Sequence, residues 1–243
     1  MTALTGERWR LVHGEVLPFL RSMESATVDA ITTDPPYADV SSEASFVTKR
    51  KGVVREGQFF EAWIREHLAE WGRILKPSGV AWFTIDWFGA MQVDAACGRL
   101  GLRRPAVGVW HRGGLGMGHV MRHTYECFVV MPMDGWQPLT HDVADVWPLK
   151  WTPGDRIHGH SAEKPVELFA LALRRFVPPG AVVLDPFAGS GSSGLAAVQH
   201  GCEWIGVERE REFVETAQCR LQALDGIYTS PNAQQADLFG GAA

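Results

Sequence analysis

The tetrapeptide Asp34-Pro35-Pro36-Tyr37 combines three groups that could activate a conjugated amine. Such an amine is a poor nucleophile because its lone pair is delocalised into the ring. The Asp34 carboxylate can accept one N–H and return electron density to the nitrogen, and the Pro35 carbonyl, held by the stiff diproline, can accept the other. Tyr37 offers a face on which a planar ring can stack. The alternative is that the diproline only ends a strand, but the aromatic residue and the second motif below favour a catalytic role.

The second motif is a glycine-rich turn between a predicted strand and a predicted helix. About twenty residues further on, Glu208 ends the next predicted strand, where an acid can accept hydrogen bonds from ribose hydroxyls. The turn lacks the G-K-[ST] of a P-loop, which disfavours a nucleoside triphosphate. We therefore expect a nucleoside-binding pocket in which a side chain at Gly189 or Gly191 would occupy ligand space. The residues of the turn are Asp185, Pro186, Phe187, Ala188, Gly189, Ser190, Gly191 and Ser192.

Together the two motifs resemble those of the amino-methyltransferases of DNA, in the permuted order called the β class, where the tetrapeptide precedes the cofactor loop. The resemblance covers most of residues 8–224. It implies S-adenosyl-L-methionine as cofactor and, as substrate, a base flipped out of double-stranded DNA. It assigns Asp34, Pro35, Pro36 and Tyr37 to catalysis. The cofactor site would comprise the glycine-rich turn, Glu208, Thr33, and His160 and Lys164 from the segment that leads towards the turn.

The acceptor atom is left open by the chemistry of the tetrapeptide. N6 of adenine and N4 of cytosine pose the same electronic problem, so the same residues could serve either base. By resemblance, a leading Asp favours adenine and a leading Ser favours cytosine, and Asp34 therefore predicts a site-specific adenine-N6 enzyme. RNA or protein glutamine as acceptor is disfavoured by the motif order. A non-catalytic DNA-binding module that retains the fold is a further alternative, disfavoured because both motifs are intact.

The predicted elements would bring the two motifs to one edge of a sheet. Val28–Thr33 is an apolar, β-branched strand that stops at the diproline, and Val182–Asp185 is a second strand that stops at the glycine-rich turn. If they are central neighbours, Asp34 and the turn meet at the switch point of the sheet. Strands alternating with helices predict an α/β, Rossmann-like, doubly wound and mainly parallel sheet, in the circularly permuted methyltransferase topology.

Further elements follow from periodicity and from Pro and Gly positions. We predict that residues 76–79, Lys-Pro-Ser-Gly, close the helix at 59–75, and that 132–157 are irregular. An antiparallel strand pair is expected at 106–110 and 125–130. Other strands are predicted at 9–13, 80–85 and 204–208, and other helices at 16–23, 91–100, 163–176, 193–200 and 211–224.

DNA binding must overcome a formal net charge of −5, since an acidic total repels a polyanion. The basic residues are clustered, however, and two excursions, at about 38–58 and 111–157, are predicted to recognise the target. A solvated surface is the alternative for each cluster. The candidate DNA contacts are Lys49, Arg50, Lys51, Arg112 and Arg122. Because each loop covers little of a duplex, a homodimer is plausible.

Length and composition predict a single domain over residues 1–228 and a flexible tail over 229–243. No apolar segment is long enough to span a bilayer and no signal peptide is recognisable, so a cytoplasmic protein is expected. No disulfide or metal site is indicated, and the four cysteines are interpreted as core thiols. In the tail, the pentapeptide from Gln235 to Phe239 resembles the motif by which bacterial proteins bind the sliding clamp.

Overall fold

A single mixed sheet forms the centre of the computed structural model, which describes residues 1–37, 57–116, 120–151 and 163–228. Within these ranges the sheet has nine strands in the order β1-β2-β9-β8-β3-β4-β6-β5-β7. The strands are β1 Thr2–Thr5, β2 Trp9–His13, β3 Val28–Thr33, β4 Leu75–Ile85, β5 Ala106–His111, β6 Tyr125–Pro132, β7 Val146–Pro148, β8 Val182–Asp185 and β9 Glu203–Glu208. The helices are α1 Val16–Ser22, α2 Gly57–Ile74, α3 Trp87–Leu100, α4 Val166–Phe176, α5 Ser192–Gln199 and α6 Arg211–Tyr228.

The predicted fold class is confirmed by the direction of the strands. β2, β9, β8, β3 and β4 run parallel to one another, and β7 is parallel to β5. β6 pairs antiparallel with both β4 and β5, which gives the expected antiparallel pair, and β1 pairs antiparallel with β2. The sheet is thus a Rossmann-like, mainly parallel one, and strands β3 and β8 are central neighbours as required.

Both faces of the sheet are covered by helices, and β4 shows why. Its residues from Val80 onward are all buried, so successive side chains must pack on opposite faces. Trp82 belongs to the core that α4, α5 and α6 cover, whereas Phe83 belongs to the core beneath α1, α2 and α3. A continuous apolar strand of this kind is stable only between two helical layers, which is the doubly wound arrangement.

The predicted helix end at residue 75 is confirmed to within one residue, but residues 76–79 belong to a strand that was predicted to begin only at 80. Helix α2 ends at Ile74 and strand β4 begins at Leu75. The Pro77 carbonyl accepts the Gly135 N–H at 2.9 Å, and the Gly79 carbonyl accepts the Met133 N–H at 2.9 Å. Proline lacks a donor but keeps its acceptor, so the segment can extend the ladder beyond β6.

Smaller corrections have local causes. Helix α3 begins at Trp87 rather than at 91, because Asp86 caps it by accepting the Gly89 N–H at 2.6 Å. The short strand β7 lies inside the region predicted to be irregular, and β1 was not predicted at all. Three cysteines are buried as expected, but Cys219 is exposed on α6, so it is not a core thiol.

Several predicted residues lie outside the described part of the chain. They are Lys49, Arg50 and Lys51 of the first excursion, His160, and the tail with its pentapeptide. In the described ranges no helix combines the length and the apolar character needed to span a membrane. The same ranges contain no group of three or more His, Cys, Asp or Glu side chains that could hold a metal ion.

Candidate active site

The two motifs lie side by side because they end adjacent parallel strands. β3 and β8 are paired through Ala30 with Val183 and Ile31 with Leu184, so their carboxyl ends reach the same rim of the sheet. Asp34 directly follows β3, and Asp185 is the last residue of β8. The Thr33 hydroxyl donates a hydrogen bond to Asp185 Oδ1, which joins the two motifs directly.

The Asp34 carboxylate is held by one donor on each oxygen. The Thr84 hydroxyl, near the end of β4, donates to Oδ1, and the Lys164 ammonium donates to Oδ2 at 2.8 Å. The Lys164 side chain is only 9% exposed and that of Asp34 is 19% exposed. A carboxylate offers about four lone-pair positions, so two remain for a substrate amine. The carboxylate is therefore oriented but still able to accept.

A second carboxylate, Glu126, lies at the other side of Lys164. Antiparallel pairing places it at the rim, one residue before Cys127, whose partner Ile85 ends β4. Its Oε2 accepts the Tyr37 hydroxyl at 2.7 Å and lies 3.3 Å from Lys164 Nζ, and its Oε1 lies 3.0 Å from Arg112 Nη1. Two carboxylates and two cations thus form one network in which formal charge is balanced.

The ionisation of this network follows from its contacts. Burial alone would raise the pKa of Glu126, but Lys164, the Tyr37 hydroxyl and Arg112 outweigh it, so the pKa is lowered. Burial would lower the pKa of Lys164, yet the charges of Asp34 and Glu126 raise it. Both residues are therefore charged at neutral pH. Burial, reinforced by the two carboxylates, raises the pKa of Tyr37 well above its ordinary value, so its hydroxyl stays protonated.

The structure places Lys164 against the tetrapeptide. The resemblance assigned it to the cofactor, whereas its ammonium contacts Asp34 and Glu126 and lies 4.9 Å from the centroid of the Tyr37 ring. That distance is within cation–π range. One face of the ring predicted to stack on a base is thus already next to a cation.

The glycine-rich turn is fixed by backbone hydrogen bonds. The Ala188 N–H donates to the Val207 carbonyl at 2.9 Å, and the Gly191 N–H donates to the Ala188 carbonyl at 2.8 Å. Gly189 and Gly191 have φ of 51° and 83°, a conformation that favours glycine. A Cβ at Gly191 would lie 2.9 Å from Ala217 Cβ on α6. Packing and backbone conformation thus already favour glycine at 191, beside the predicted role of this position in the ligand pocket.

Arg220 of α6 ties the turn to the segment that carries Lys164. Its Nη1 donates to the Ser190 carbonyl at 2.8 Å and to the Ser190 hydroxyl at 3.0 Å, and lies 3.5 Å from Glu163 Oε1. Ser192 Oγ is a further acceptor at 3.3 Å. Beside the turn, the ring of Phe187 lies 5.8 Å from that of Trp63 and 5.6 Å from that of His67. The apolar wall of the turn is thus supplied by α2.

Asp185 is enclosed by neutral donors. The hydroxyls of Thr33 and Ser193 each donate to one of its oxygens, and the Phe187 N–H donates to Oδ1 at 2.9 Å. Burial nevertheless raises its pKa to about 7, although these three donors favour the ionised form. This carboxylate is a structural centre of the turn rather than a group open to a substrate.

Glu208 ends β9 as predicted and faces the turn. Its Oε2 accepts the Gly189 N–H at 2.9 Å and its Oε1 accepts the Glu210 N–H at 2.7 Å. Burial raises its pKa, although these backbone donors oppose the rise. Each oxygen keeps a lone pair, so Glu208 can still accept hydrogen bonds from two hydroxyls.

Arg112 and Arg122, the two candidate DNA contacts within the described residues, differ in exposure. Arg112 points into the site, where it pairs with Glu126 and donates to the His123 carbonyl at 3.2 Å. Arg122 is exposed and donates to the Gly116 carbonyl at 2.9 Å, which closes the loop between β5 and β6. Only Arg122 is thus presented to solvent.

The sequence did not single out Thr84, Glu126 or Arg220. Two of them carried a signal, since Thr84 is the hydroxyl residue of an apolar strand and Glu126 is the acid in the apolar run of β6. A polar side chain in a buried strand needs a partner, which makes it a candidate for a site. Nothing comparable marked Arg220 among the charged residues of α6.

The Asp34 carboxylate and the glycine-rich turn lie side by side on one rim of a Rossmann-like sheet, and comparison with known proteins indicates an amino-methyltransferase. The family model N6_N4_Mtase, described as DNA methylase, matches residues 121–219. YubD of Escherichia coli (strain K12), named as a methylase, is 28% identical over 88% of this chain and 91% of its own. YhdJ of the same strain, named as a DNA adenine methyltransferase, is 25% identical over 90% of this chain and 85% of its own.

Solved structures share the fold. The complex of M1.HpyAVI with SAM has a TM-score of 0.66 at 20% identity and covers 88% of this chain and 100% of that one. The PvuII DNA methyltransferase, described as cytosine-N4-specific, has a TM-score of 0.71 at 15% identity over 91% and 93% of the two chains. Together these similarities support a DNA amino-methyltransferase, and in this chain the tetrapeptide precedes the glycine-rich turn.

Proposed function

We propose that this protein transfers the methyl group of S-adenosyl-L-methionine to N6 of an adenine that is flipped out of double-stranded DNA. The observation that carries the proposal is the hydrogen bond from Thr33 to Asp185, because it couples an amine-accepting carboxylate to a nucleoside turn on neighbouring strands. A donor held by the turn and an amine held at Asp34 would then meet on one rim.

The catalytic residues would act on the amine without a covalent intermediate. Asp34 accepts one N–H while Thr84 and Lys164 keep its carboxylate in place, and the Pro35 carbonyl accepts the other. As the N–CH3 bond forms and the S–CH3 bond of the donor breaks, the carboxylate would stabilise the positive charge on nitrogen; the thioether would leave and the amine would lose one proton to solvent. Tyr37 supplies a ring for stacking, and its hydroxyl is fixed by Glu126.

The residues of the turn fit a nucleoside cofactor. Two left-handed glycines let the backbone approach a ligand, and the Glu208 carboxylate retains acceptor capacity for ribose hydroxyls. S-adenosyl-L-methionine supplies an electrophilic methyl group when it is bound. We propose that the residues 185–192, Glu208 and Thr33 hold it, together with His160, which lies outside the described residues.

Adenine is proposed over cytosine on two grounds. The tetrapeptide begins with Asp34, and the relative YhdJ is named as an adenine enzyme. The fold does not discriminate, since the PvuII enzyme, named as cytosine-N4-specific, has the same fold. Cytosine N4 is therefore the second candidate.

Nucleoside analysis after methylation tests this proposal. The purified protein is incubated with unmethylated duplex DNA and isotopically labelled S-adenosyl-L-methionine, and the DNA is then digested for mass spectrometry. We expect labelled N6-methyladenine, and on the order of 10³-fold slower labelling with the matched Asp34→Ala variant. Labelled N4-methylcytosine would replace the proposed base, and no label in any base would favour the non-catalytic DNA-binding module.

We further propose that residues 1–228 act as one domain and that Lys49, Arg50, Lys51 and Arg122 contact phosphates. The single sheet, which runs from Thr2 to Glu208, supports the first point. Neutralising Lys49, Arg50 and Lys51 together should reduce the slope of log affinity against log salt by about 0.9 per lost phosphate contact. A variant with the parent slope, measured beside Arg122→Ala, would show that the run is only a solvated surface.

We also propose two partners, a second copy of this chain and the bacterial sliding clamp. The homodimer can be tested by sedimentation at several protein concentrations. The pentapeptide from Gln235 to Phe239 can be tested by titrating a peptide of residues 230–243 with a purified bacterial clamp. A peptide with alanine at Leu238 and Phe239 is the control, and equal binding by both peptides would rule the motif out.

A further inference from the structure

Lys164 shares its ammonium between two carboxylates, and only one of them belongs to the tetrapeptide. It lies 2.8 Å from Asp34 Oδ2 and 3.3 Å from Glu126 Oε2. An ammonium bound to Asp34 alone would reduce the ability of that carboxylate to draw an N–H from the substrate amine. A second carboxylate on the far side draws part of the positive charge away, which leaves Asp34 a better acceptor.

Glu126 also fixes the other parts of the tetrapeptide. Its Oε2 accepts the Tyr37 hydroxyl at 2.7 Å, so the ring that would meet a base has a set orientation. Its Oε1 is held by Arg112 at 3.0 Å, and Arg112 in turn donates to the His123 carbonyl of the loop between β5 and β6. Glu126 therefore contacts both Lys164 and Tyr37 from a rigid strand end.

We propose that Glu126 is a positioning residue for methyl transfer. It acts on Asp34 through Lys164, and it orients Tyr37 by accepting the hydrogen bond of the Tyr37 hydroxyl. This inference rests on the proposed function for its kinetic consequence. It holds for either base, because adenine N6 and cytosine N4 both require an accepting carboxylate. The charge balance makes the inference specific to this pair of residues. Loss of Glu126 alone leaves two cations with one carboxylate, and loss of Lys164 alone leaves two carboxylates with one cation.

A double-mutant cycle on the full-length protein measures the pairing. The single-turnover rate of methyl transfer is determined at saturating DNA and cofactor for the parent, Glu126→Gln, Lys164→Met and the double variant. We expect Glu126→Gln to slow the step roughly 10²-fold, since small misplacements of catalytic groups cost about this much. The double variant, in which charge is balanced again, should lose much less than the product of the two single losses.

Two controls separate positioning from folding. Glu126→Asp keeps the charge and should recover part of the rate that Glu126→Gln loses. Cofactor affinity by calorimetry should stay close to the parent value, and urea unfolding should show that each variant remains folded under the assay conditions, although loss of a buried charge partner lowers its midpoint. The inference would be overturned if Glu126→Gln transferred methyl at the parent rate. It would also be overturned if the rate loss of the double variant equalled the product of the two single losses. An inactive parent would instead overturn the proposed function.

A second measurement does not depend on activity. The chain has three tyrosines, so ring signals of protein labelled with ¹³C-tyrosine can be titrated, and Tyr37→Phe assigns the signal of Tyr37. Asp34, Glu126 and Lys164 are the charged groups that face this hydroxyl. Removal of the Glu126 charge should lower the pKa of Tyr37, and an unchanged titration would contradict the proposed contact.

Discussion

Strands β3 and β8 each lead into an Asp-Pro pair, yet the two carboxylates have opposite surroundings. Asp34 is partly open and is held by the Lys164 ammonium and the Thr84 hydroxyl. Asp185 is buried and is held by two hydroxyls and a backbone N–H, with no cation in contact among the described residues. The same dipeptide can therefore follow a strand as a partly open, ion-paired carboxylate or as a buried structural centre, and its environment decides which.

Removal of the Asp34 carboxylate should have the largest effect on chemistry. Asp34→Ala is expected to slow methyl transfer on the order of 10³-fold, because the amine loses its acceptor. Cofactor affinity should change only a few-fold, since the other strand end carries that site. Rate and calorimetric affinity, measured on the same preparation, test the separation. Near-normal turnover would contradict the assigned mechanism.

Removal of the Asp185 carboxylate should instead have its largest effect on stability. Asp185→Ala leaves the hydroxyls of Thr33 and Ser193 and the Phe187 N–H without their acceptor, at a cost of about 3 kcal/mol in the free energy of unfolding. Asp34→Ala, at a more open position, serves as the matched control and should cost less. Equal losses in the free energy of unfolding for the two variants, measured in urea, would contradict the contrast between the two strand ends.

The two strand ends should also differ in their response to pH. The pKa of Asp185 is raised to about 7 in the folded protein, above about 3.9 for an unfolded aspartate. The folded state then binds more protons between these values, so the contribution of Asp185 to stability is fully present below about pH 4 and is lost as the pH rises through 7. Relative to Asp185→Asn, which does not titrate, the parent should lose at most about 1.4 kcal/mol per pH unit. A constant difference from pH 4 to pH 8 would show that the three donors keep this group ionised.

The smallest expected effect concerns Gly191, which lies at the start of α5. Gly191→Ala meets a φ of 83° and a contact of 2.9 Å with Ala217 Cβ, so we expect about 1 to 2 kcal/mol of destabilisation. The loss should appear in unfolding more than in cofactor affinity. Combining it with Ala217→Gly should relieve the contact but not the backbone strain. A loss of affinity without a loss of stability would favour the ligand-space explanation instead.

Much of the fold was predictable because its signals are local. The alternation of apolar strands and amphipathic helices predicted the layers, and proline and glycine marked the ends of β3, α3 and β8. Residues 76–79 were misjudged because Pro and Gly also occur where a strand is extended by carbonyl acceptors alone, as the Pro77 carbonyl shows. Such a case depends on the partner strand, which a local pattern does not contain.

The sequence by itself determined the two motifs, their order along the chain and the strands that carry them, since each is a property of adjacent residues. Only the tertiary structure decided what surrounds them. Lys164 is 130 residues from Asp34, and Glu126 is 89 residues from Tyr37, yet these contacts hold the tetrapeptide in place. The ionisation of Asp185 likewise depends on burial and on donors from β3 and α5. Desolvation and ion pairing act through space, and the distances that govern them exist only once the chain has folded.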